Sequence, residues 1–273
     1  MRLITSLLFA LASLAADLPH EARVMKVQEL THDTKLIRFK AGRDFTFKPG
    51  QFVLLQVPPA FVEEWNAKYK TSHQQVRRPY SFASSPKKLP VFDLIVKLVG
   101  PPPGKDVPPG IASTFLTSRV KPGDTLRFGA AIGSLFPGVD KGRPIVLVAG
   151  GTGVAPFVCL IEHWFETKAG NPIYLFFGVR SRRDLFLHQQ FEKWARTKKG
   201  FHYIPALSNP APEDQWTGET GFINVTLGKR LQDIRDPEVF VAGSPVMMRE
   251  TVKVLQANGV PKERIHQDPI QVK

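Results

Sequence analysis

The sequence predicts a β + α/β chain, an antiparallel barrel followed by a doubly wound parallel sheet, and three observations carry that reading. From Arg23 to about Phe136, short alternating or apolar stretches recur with Pro-Gly corners between them, as in a small antiparallel barrel. After Pro137-Gly138-Val139-Asp140-Lys141-Gly142 the pattern changes to continuous apolar runs alternating with helical segments, as buried parallel strands and their crossovers do. A chain of 273 residues is long for one domain and ordinary for two, and with 42% apolar and 22% charged residues it can build packed cores.

In the first half, Val24–Val27 and Thr34–Phe39 read as half-buried strands, and Phe45–Leu55 as strand, Pro-Gly turn and strand. Pro58–Gln75 is a polar insertion with a helical turn at Val62–Lys68. Phe92–Leu98 and Thr125–Phe128 are further strands, and one helical piece lies around Ser113–Thr117. In the second half the expected order is strand Pro144–Ala149, helix Pro156–Glu166, strand Ile173–Phe177, helix Leu185–Ala195 and strand His202–Leu207. Helix Val225–Arg230, strand Val239–Ala242 and helix Val246–Asn258 complete it. The domain limits on this reading are 21–138 and 141–273, behind a hydrophobic segment at 1–16.

The net charge of +13 favours encounters with acidic partners, an effect that fades with salt. No run of five basic residues occurs, so a nucleic-acid partner is not expected. The single cysteine, Cys159, excludes an internal disulfide and a multi-cysteine metal or iron–sulfur site within one chain. The seven histidines show no i, i+3 or i+4 pairing, so no metal site is expected. There is no Gly-x-Ser-x-Gly. The apolar stretch Leu3–Ala16 is shorter than the roughly 20 residues that span a bilayer, and it suits a signal-peptide core or a membrane-surface anchor.

Three motifs carry chemistry. Gly150-Gly151-Thr152-Gly153 lies between a buried strand and a helix. There glycines allow a tight turn and close approach, and free helix N–H groups favour a phosphate; a ligand-free turn is the competing reading. Arg78-Pro79-Tyr80-Ser81 offers a guanidinium for pyrophosphate, an aromatic ring for stacking and a hydroxyl for a ring nitrogen; an ordinary strand is its competitor. Gly243-Ser244-Pro245-Val246-Met247-Met248 is a second glycine crossing into a helix on the same sheet edge, with the methionines read as helix core.

Taken in order, these pieces resemble the ferredoxin–NADP reductase superfamily over roughly residues 23–268. The resemblance implies a six-stranded FAD-binding barrel followed by an NAD(P)-binding domain. It implies an FAD-dependent NAD(P)H reductase that moves hydride from the nicotinamide to flavin N5. Arg78 and Pro79 would lie at the flavin phosphates, with Tyr80 and Ser81 at the ring as the catalytic pair. Val96, Lys97 and Val99 match the strand along the flavin, and Gly110, Ala112 and Ser113 the pyrophosphate cradle. Gly151, Thr152, Gly153 and Gly243 match the dinucleotide loops. Arg180, Ser181 and Arg182 match the adenosine-end turn, where the arginines (with Arg183) lean the donor toward NADPH over NADH.

Two departures from the family pattern stand out: Ala242 replaces a frequent cysteine, and the final residues Pro269–Lys273 hold no aromatic. The implied acceptor is an acidic one-electron carrier: ferredoxin, flavodoxin or a cytochrome. The alternatives are a non-autonomous flavoprotein subunit of a larger redox complex and a catalytically silent cofactor-binding module. Because nicotinamide dinucleotides abound inside cells, the expected place is the cytoplasm, with membrane association through residues 1–16; export through an N-terminal signal is the alternative.

Overall fold

The computed structural model describes residues 18–271 except 134 and 137, so the hydrophobic segment expected at 1–16 lies outside the described residues. The chain divides into two compact units, one ending at Gly133 and the other comprising the remainder.

The first unit is one six-stranded antiparallel sheet. Its strands are β1 (His20–Glu29), β2 (Thr34–Ala41), β3 (Phe52–Gln56), β4 (Arg77–Ser81), β5 (Val91–Lys97) and β6 (Thr125–Phe128), in the order β4-β3-β6-β1-β2-β5. A bridge between Phe82 and Leu94 joins the two ends and closes the barrel, which removes its open edges. Phe45–Phe47, expected as a strand, pairs with no strand among the described residues. Both rings instead fill the barrel: Phe47 stacks on Phe82 at 3.7 Å between centroids, and Phe45 meets Phe128 edge-on at 5.0 Å. Their alternation with exposed Thr46 mimics a strand, because filling a barrel from its end buries alternate residues just as pairing does. The insertion is a complete helix, α1 (Pro59–Tyr69), opened by a proline at its first position. A short second helix, α2 (Ile111–Ser118), follows the loop after β5.

The second unit is a six-stranded parallel sheet made of β7 (Ile145–Gly150), β8 (Ile173–Val179), β9 (Phe201–Leu207), β10 (Glu219–Thr220), β11 (Glu238–Ala242) and β12 (Ile265–Gln267). Their order is β10-β9-β8-β7-β11-β12, so successive strands grow outward on both sides of β7. Residues Ile145–Ala149 are wholly buried, as a strand covered on both faces must be. The helices are α3 (Ala155–Thr167), α4 (His188–Thr197), α5 (Ile223–Arg230) and α6 (Pro245–Ala257). Helices α5 and α6 share one core with the sheet through Leu227, Met248 and Leu255. On α4, Phe191 packs against Phe177 of β8.

Helix α4 starts later than the periodicity suggests. Residues Arg182–Asp184 form a separate tight turn closed by reciprocal Ser181–Asp184 bonds, and Leu187 is left-handed at φ 56°, so the helix starts only after it. Strands β10 and β12, only 2 and 3 residues long, are too short for periodicity to reveal.

Beyond β12, Asp268 is buried, its N–H donates to Val241 O at 2.9 Å and its carboxylate accepts the Ile270 N–H at 3.0 Å. Burial raises this carboxyl above the ordinary aspartate range, and the Ile270 bond offsets only part of that. A carboxyl whose folded pKa is raised destabilises the fold once pH rises through its unfolded value. Asp268→Asn keeps the acceptor oxygen and removes the charge. It should raise the melting temperature at pH 7 by about 2–4 °C, with the gain gone below about pH 4. A calorimetric pair of scans at the two pH values checks this; an unchanged or lower melting temperature at pH 7 would refute it.

Candidate functional site

In the barrel unit the motif residues converge through backbone topology. Pairing with β3 sets Tyr80 opposite Val53 and Arg78 opposite Leu55. The Phe82–Leu94 bridge and the Ala83 N–H to Asp93 O bond, 2.8 Å, lead the other side of β4 toward β5. Asp93 is itself buried and fixed by a forked pair of bonds from Arg38 at 2.8 and 2.9 Å. Burial pushes the Tyr80 phenol up, with nearby Arg78 opposing the shift, so the ring presents a neutral hydroxyl at ordinary pH. Arg78 is exposed, and among the described residues its guanidinium donates only to its neighbour's carbonyl, Arg77 O, at 2.8 Å. Pro79 and Ser81 are half-buried.

Along β5, Val96 is buried, whereas Lys97 turns to Asp33, 2.9 Å away. Burial alone would raise the Asp33 carboxyl; hydrogen bonds from Lys97, Thr34 and Thr31 outweigh it and hold the group below its usual range. The Lys97 ammonium is therefore committed to holding the strand end.

Beyond it, Val99 is exposed and tied by its backbone to the start of α2. Gly110 N–H donates to Val99 O at 2.8 Å, and the Ser113 hydroxyl accepts the Val99 N–H at 3.1 Å while donating to Gly110 O at 2.9 Å. Ser113 thus braces the cradle, and the N–H groups of the first turn, at Ile111, Ala112 and Ser113, precede the first intrahelical bond, made by Thr114. A Cβ on Gly110 would sit 2.8 Å from that hydroxyl, which explains the glycine. Ser113→Ala should strand the Val99 N–H, while Gly110 O keeps the Thr114 N–H, and cost about 1–2 kcal/mol of barrel stability; a denaturation midpoint equal to wild type would show the brace to be idle.

In the sheet unit, β7 ends at Gly150, the tight turn Gly151–Val154 follows, and α3 begins at Ala155. Gly151 has φ 54° with nothing within 4 Å of a notional Cβ, leaving open space over its backbone. Gly153 is the opposite: its Cβ would lie 2.3 Å from Ala242 O. Gly150 and Gly243 also face each other, under the Met247 methyl that would stand 2.5 Å from a Cβ on Gly243. Met248 is core and Met247 packs against that core, as the sequence reading expects; Met247 in addition caps this glycine contact. The result is bare backbone at Gly151 beside the Met247-capped glycine contact, at the carboxyl ends of β7 and β11, where the strand order reverses and such sheets bind ligands. It fits a dinucleotide phosphate.

One strand away, Arg180 and Arg183 are exposed, whereas Arg182 donates to Asp214 O and Ser181 donates to Asp184 at 2.8 Å. The sequence reading missed Phe222, 70% exposed at the start of α5 on the same carboxyl edge. A phenylalanine after a turn glycine and just before a helix was the available signal.

Residues 21–136 match the oxidoreductase FAD-binding domain family, and residues 147–253 match the oxidoreductase NAD-binding domain family. The chain belongs to the ferredoxin–NADP reductase superfamily. Its cofactors are FAD and a nicotinamide dinucleotide. One component of the Na(+)-translocating NADH-quinone reductase of Pseudomonas aeruginosa is 32% identical over 264 residues, 88% of this chain and 62% of that protein. The chain thus spans about three fifths of the length of the curated relatives it matches. The Amycolatopsis cytochrome reductase GcoB superposes with TM-score 0.75 at 25% identity, over 92% of this chain and 69% of that one. The fold alone is shared with a Neisseria gonorrhoeae ferredoxin NADP+ reductase, TM-score 0.72 at 18% identity, over 90% and 96% of the two chains. Among the described residues, no helix is long and apolar enough to cross a membrane.

Proposed function

We propose that this superfamily member draws reducing equivalents from NAD(P)H through FAD and hands them on singly to an acidic carrier protein. The observation that supports it most is the pairing of two unlike anion cradles: the α2 start with exposed Arg78 in the barrel, and the open Gly151 backbone in the sheet. When bound, the flavin supplies hydride acceptance at N5 and release of single electrons. Arg78 and the α2 N–H groups hold its phosphates, Tyr80 packs against its ring as a neutral phenol, and Ser81 offers a hydroxyl near N5. Val96, Lys97 and Val99 set the strand alongside, through their backbone. Gly151, Thr152 and Gly153 admit the dinucleotide phosphates, and Phe222 offers a face for a base to stack on. The hydride step calls for no side-chain acid or base, so the chain's contribution is orientation.

Purified protein should be yellow, or become so with added FAD, and should bleach on addition of NADH or NADPH. A protein that binds no flavin that either donor discharges would end this proposal. Reduction of acidic carriers should fall with salt; a flat dependence would remove that part alone.

The exposed Arg180 and Arg183 support acceptance of NADPH. An R180A/R183A double variant should lose about tenfold in affinity for NADP+ with NAD+ binding unchanged; equal losses for both would remove the two arginines from 2′-phosphate recognition. The quinone-reductase relatives favour a second reading, in which the chain is the electron-accepting flavin component of a larger complex. Copurifying iron–sulfur proteins would favour it over a free reductase. In either case we place the catalytic units in the cytoplasm, where the donors are abundant.

A further inference from the structure

The outer face of β6, β1 and β2 plays no part in the function above, and like charges meet across it. Arg23 of β1 stands directly opposite Lys40 of β2, and Lys26 directly opposite Arg38. On the other side of β1, Glu21 faces Arg127 of β6. Arg23, Lys26, Lys40 and Arg127 are all exposed. Like charges directly opposite on one sheet face destabilise it, because their side chains start only about 5 Å apart.

The chain itself relieves little of this. Arg38 is answered by Asp93, and Glu29, farther along β1, pairs with Lys35. Lys26 donates to a neutral amide, Gln28 Oε1, at 2.9 Å, and neither Arg23 nor Lys40 makes an ion pair among the described residues. The face therefore calls for negative charge from outside. A bulge between Val24 and Lys26 also turns Met25 outward, 47% exposed between two cations. An exposed apolar side chain flanked by cations suits the boundary between lipid headgroups and acyl chains.

Two further observations choose the partner. Leu18 O accepts from Arg127 Nη2 at 3.2 Å, so the chain leaving the apolar stretch Leu3–Ala16 joins the barrel at the edge of this face. One apolar segment holds a protein at a bilayer only weakly, and a basic patch beside it supplies the second attraction that stable binding needs. In the strand order β4-β3-β6-β1-β2-β5, closed by the Phe82–Leu94 bridge, β6 and β1 lie across the barrel from β4 and β5. On the proposed function, on which this step rests, β4 and β5 hold the flavin, so an electron carrier docked at β1 would have the barrel core between it and the flavin. A lipid surface has no such requirement. We propose that the outer β6–β1–β2 face rests on an anionic bilayer, with Arg23, Lys26, Lys40 and Arg127 meeting headgroup phosphates and Met25 entering the boundary beneath them.

The test is co-sedimentation of the FAD-loaded full-length chain with vesicles of phosphatidylcholine, alone or with about 30% phosphatidylglycerol. Binding to the anionic vesicles should be at least about tenfold tighter than to the neutral ones. It should weaken at least about tenfold as salt rises from about 0.1 to about 0.5 M. Each cation near such a surface is worth about fivefold, so R23Q/K26Q/K40Q should weaken anionic-vesicle binding by about thirtyfold or more, with bound FAD retained. K199Q/K229Q/K262Q removes the same charge from exposed positions of the second unit and should change binding less than about threefold. No binding to the anionic vesicles, or equal binding to both kinds, overturns the proposal. So does a barrel-face variant that binds as well as wild type or as the second-unit variant. Sedimentation involves no redox step, so a chain that fails to oxidise NAD(P)H would count against the proposed function and leave this result readable by itself.

Discussion

Gly153→Ala should abolish nicotinamide-dependent reduction while leaving the barrel able to bind FAD. The added methyl would stand 2.3 Å from Ala242 O, 2.5 Å from its carbonyl carbon and 2.6 Å from Gly243 N. All three atoms are backbone at the end of β11, which is held between β7 and β12 and has Val239–Ala242 fully buried. No flexible side chain can yield, so either the α3 start moves off the sheet or β7 and β11 part. Overpacking of this kind costs about 3 kcal/mol or more, which for a unit of this size lowers its unfolding temperature by roughly 10 °C. Reduction of bound flavin by NADH or NADPH should slow by at least about 100-fold. Gly151→Ala is the informative control. Its Cβ meets nothing within 4 Å, so the expected penalty is the left-handed backbone alone, about 1–2 kcal/mol, with the sheet intact. Equal melting temperatures and rates for Gly153→Ala and wild type would show that the contact at Ala242 relaxes freely.

Arg78→Ala should release FAD. Exposed on β4 and bonded, among the described residues, only to Arg77 O, the guanidinium contributes little to the folded barrel, so the substitution should leave stability within about 0.5 kcal/mol. Its loss should be felt where a doubly charged pyrophosphate would meet a planar fork. A charge-assisted pair is worth about 1.5–3 kcal/mol, and the FAD dissociation constant should rise by roughly 10- to 100-fold. Gel filtration should then separate colour from protein, and added FAD at high concentration should restore turnover. Arg78→Lys keeps the charge without the fork and should fall between the two. Undiminished FAD retention in the alanine variant would remove Arg78 from the flavin site, while leaving the fold and family assignment untouched.

These two outcomes differ in how far the sequence foretold them. The phosphate role proposed for Arg78 comes from the family resemblance that Arg78-Pro79-Tyr80-Ser81 helps to carry, a tetrapeptide that by itself also reads as an ordinary strand. The severity of Gly153→Ala was not legible in that way. In sequence, Gly151 and Gly153 look alike, two glycines of one turn. Only the placement of Ala242 beside one of them makes it intolerant of a methyl group. Ser113 shows the same division. The family resemblance put it in a cradle of backbone N–H groups, but did not show that its hydroxyl, bonded to Val99 N–H and Gly110 O, holds the cradle's shape. Phe45 and Phe47 mark the limit of periodicity, because alternate burial without a pairing partner reads as a strand.

By itself the sequence determined the order of the two halves, the kind of nearly every helix and long strand, and the two glycine crossings of the parallel sheet. These depend on residues two to four apart, where side-chain period and turn chemistry act directly. Tertiary structure alone decided which glycine is pinned against β11, that Lys97 serves Asp33, and that Arg182 is held by Asp214 while Arg180 and Arg183 stay free of ion pairs among the described residues. Each of these depends on which distant strand or loop becomes a neighbour, and that is set by the packing of whole layers rather than by any local run of residues.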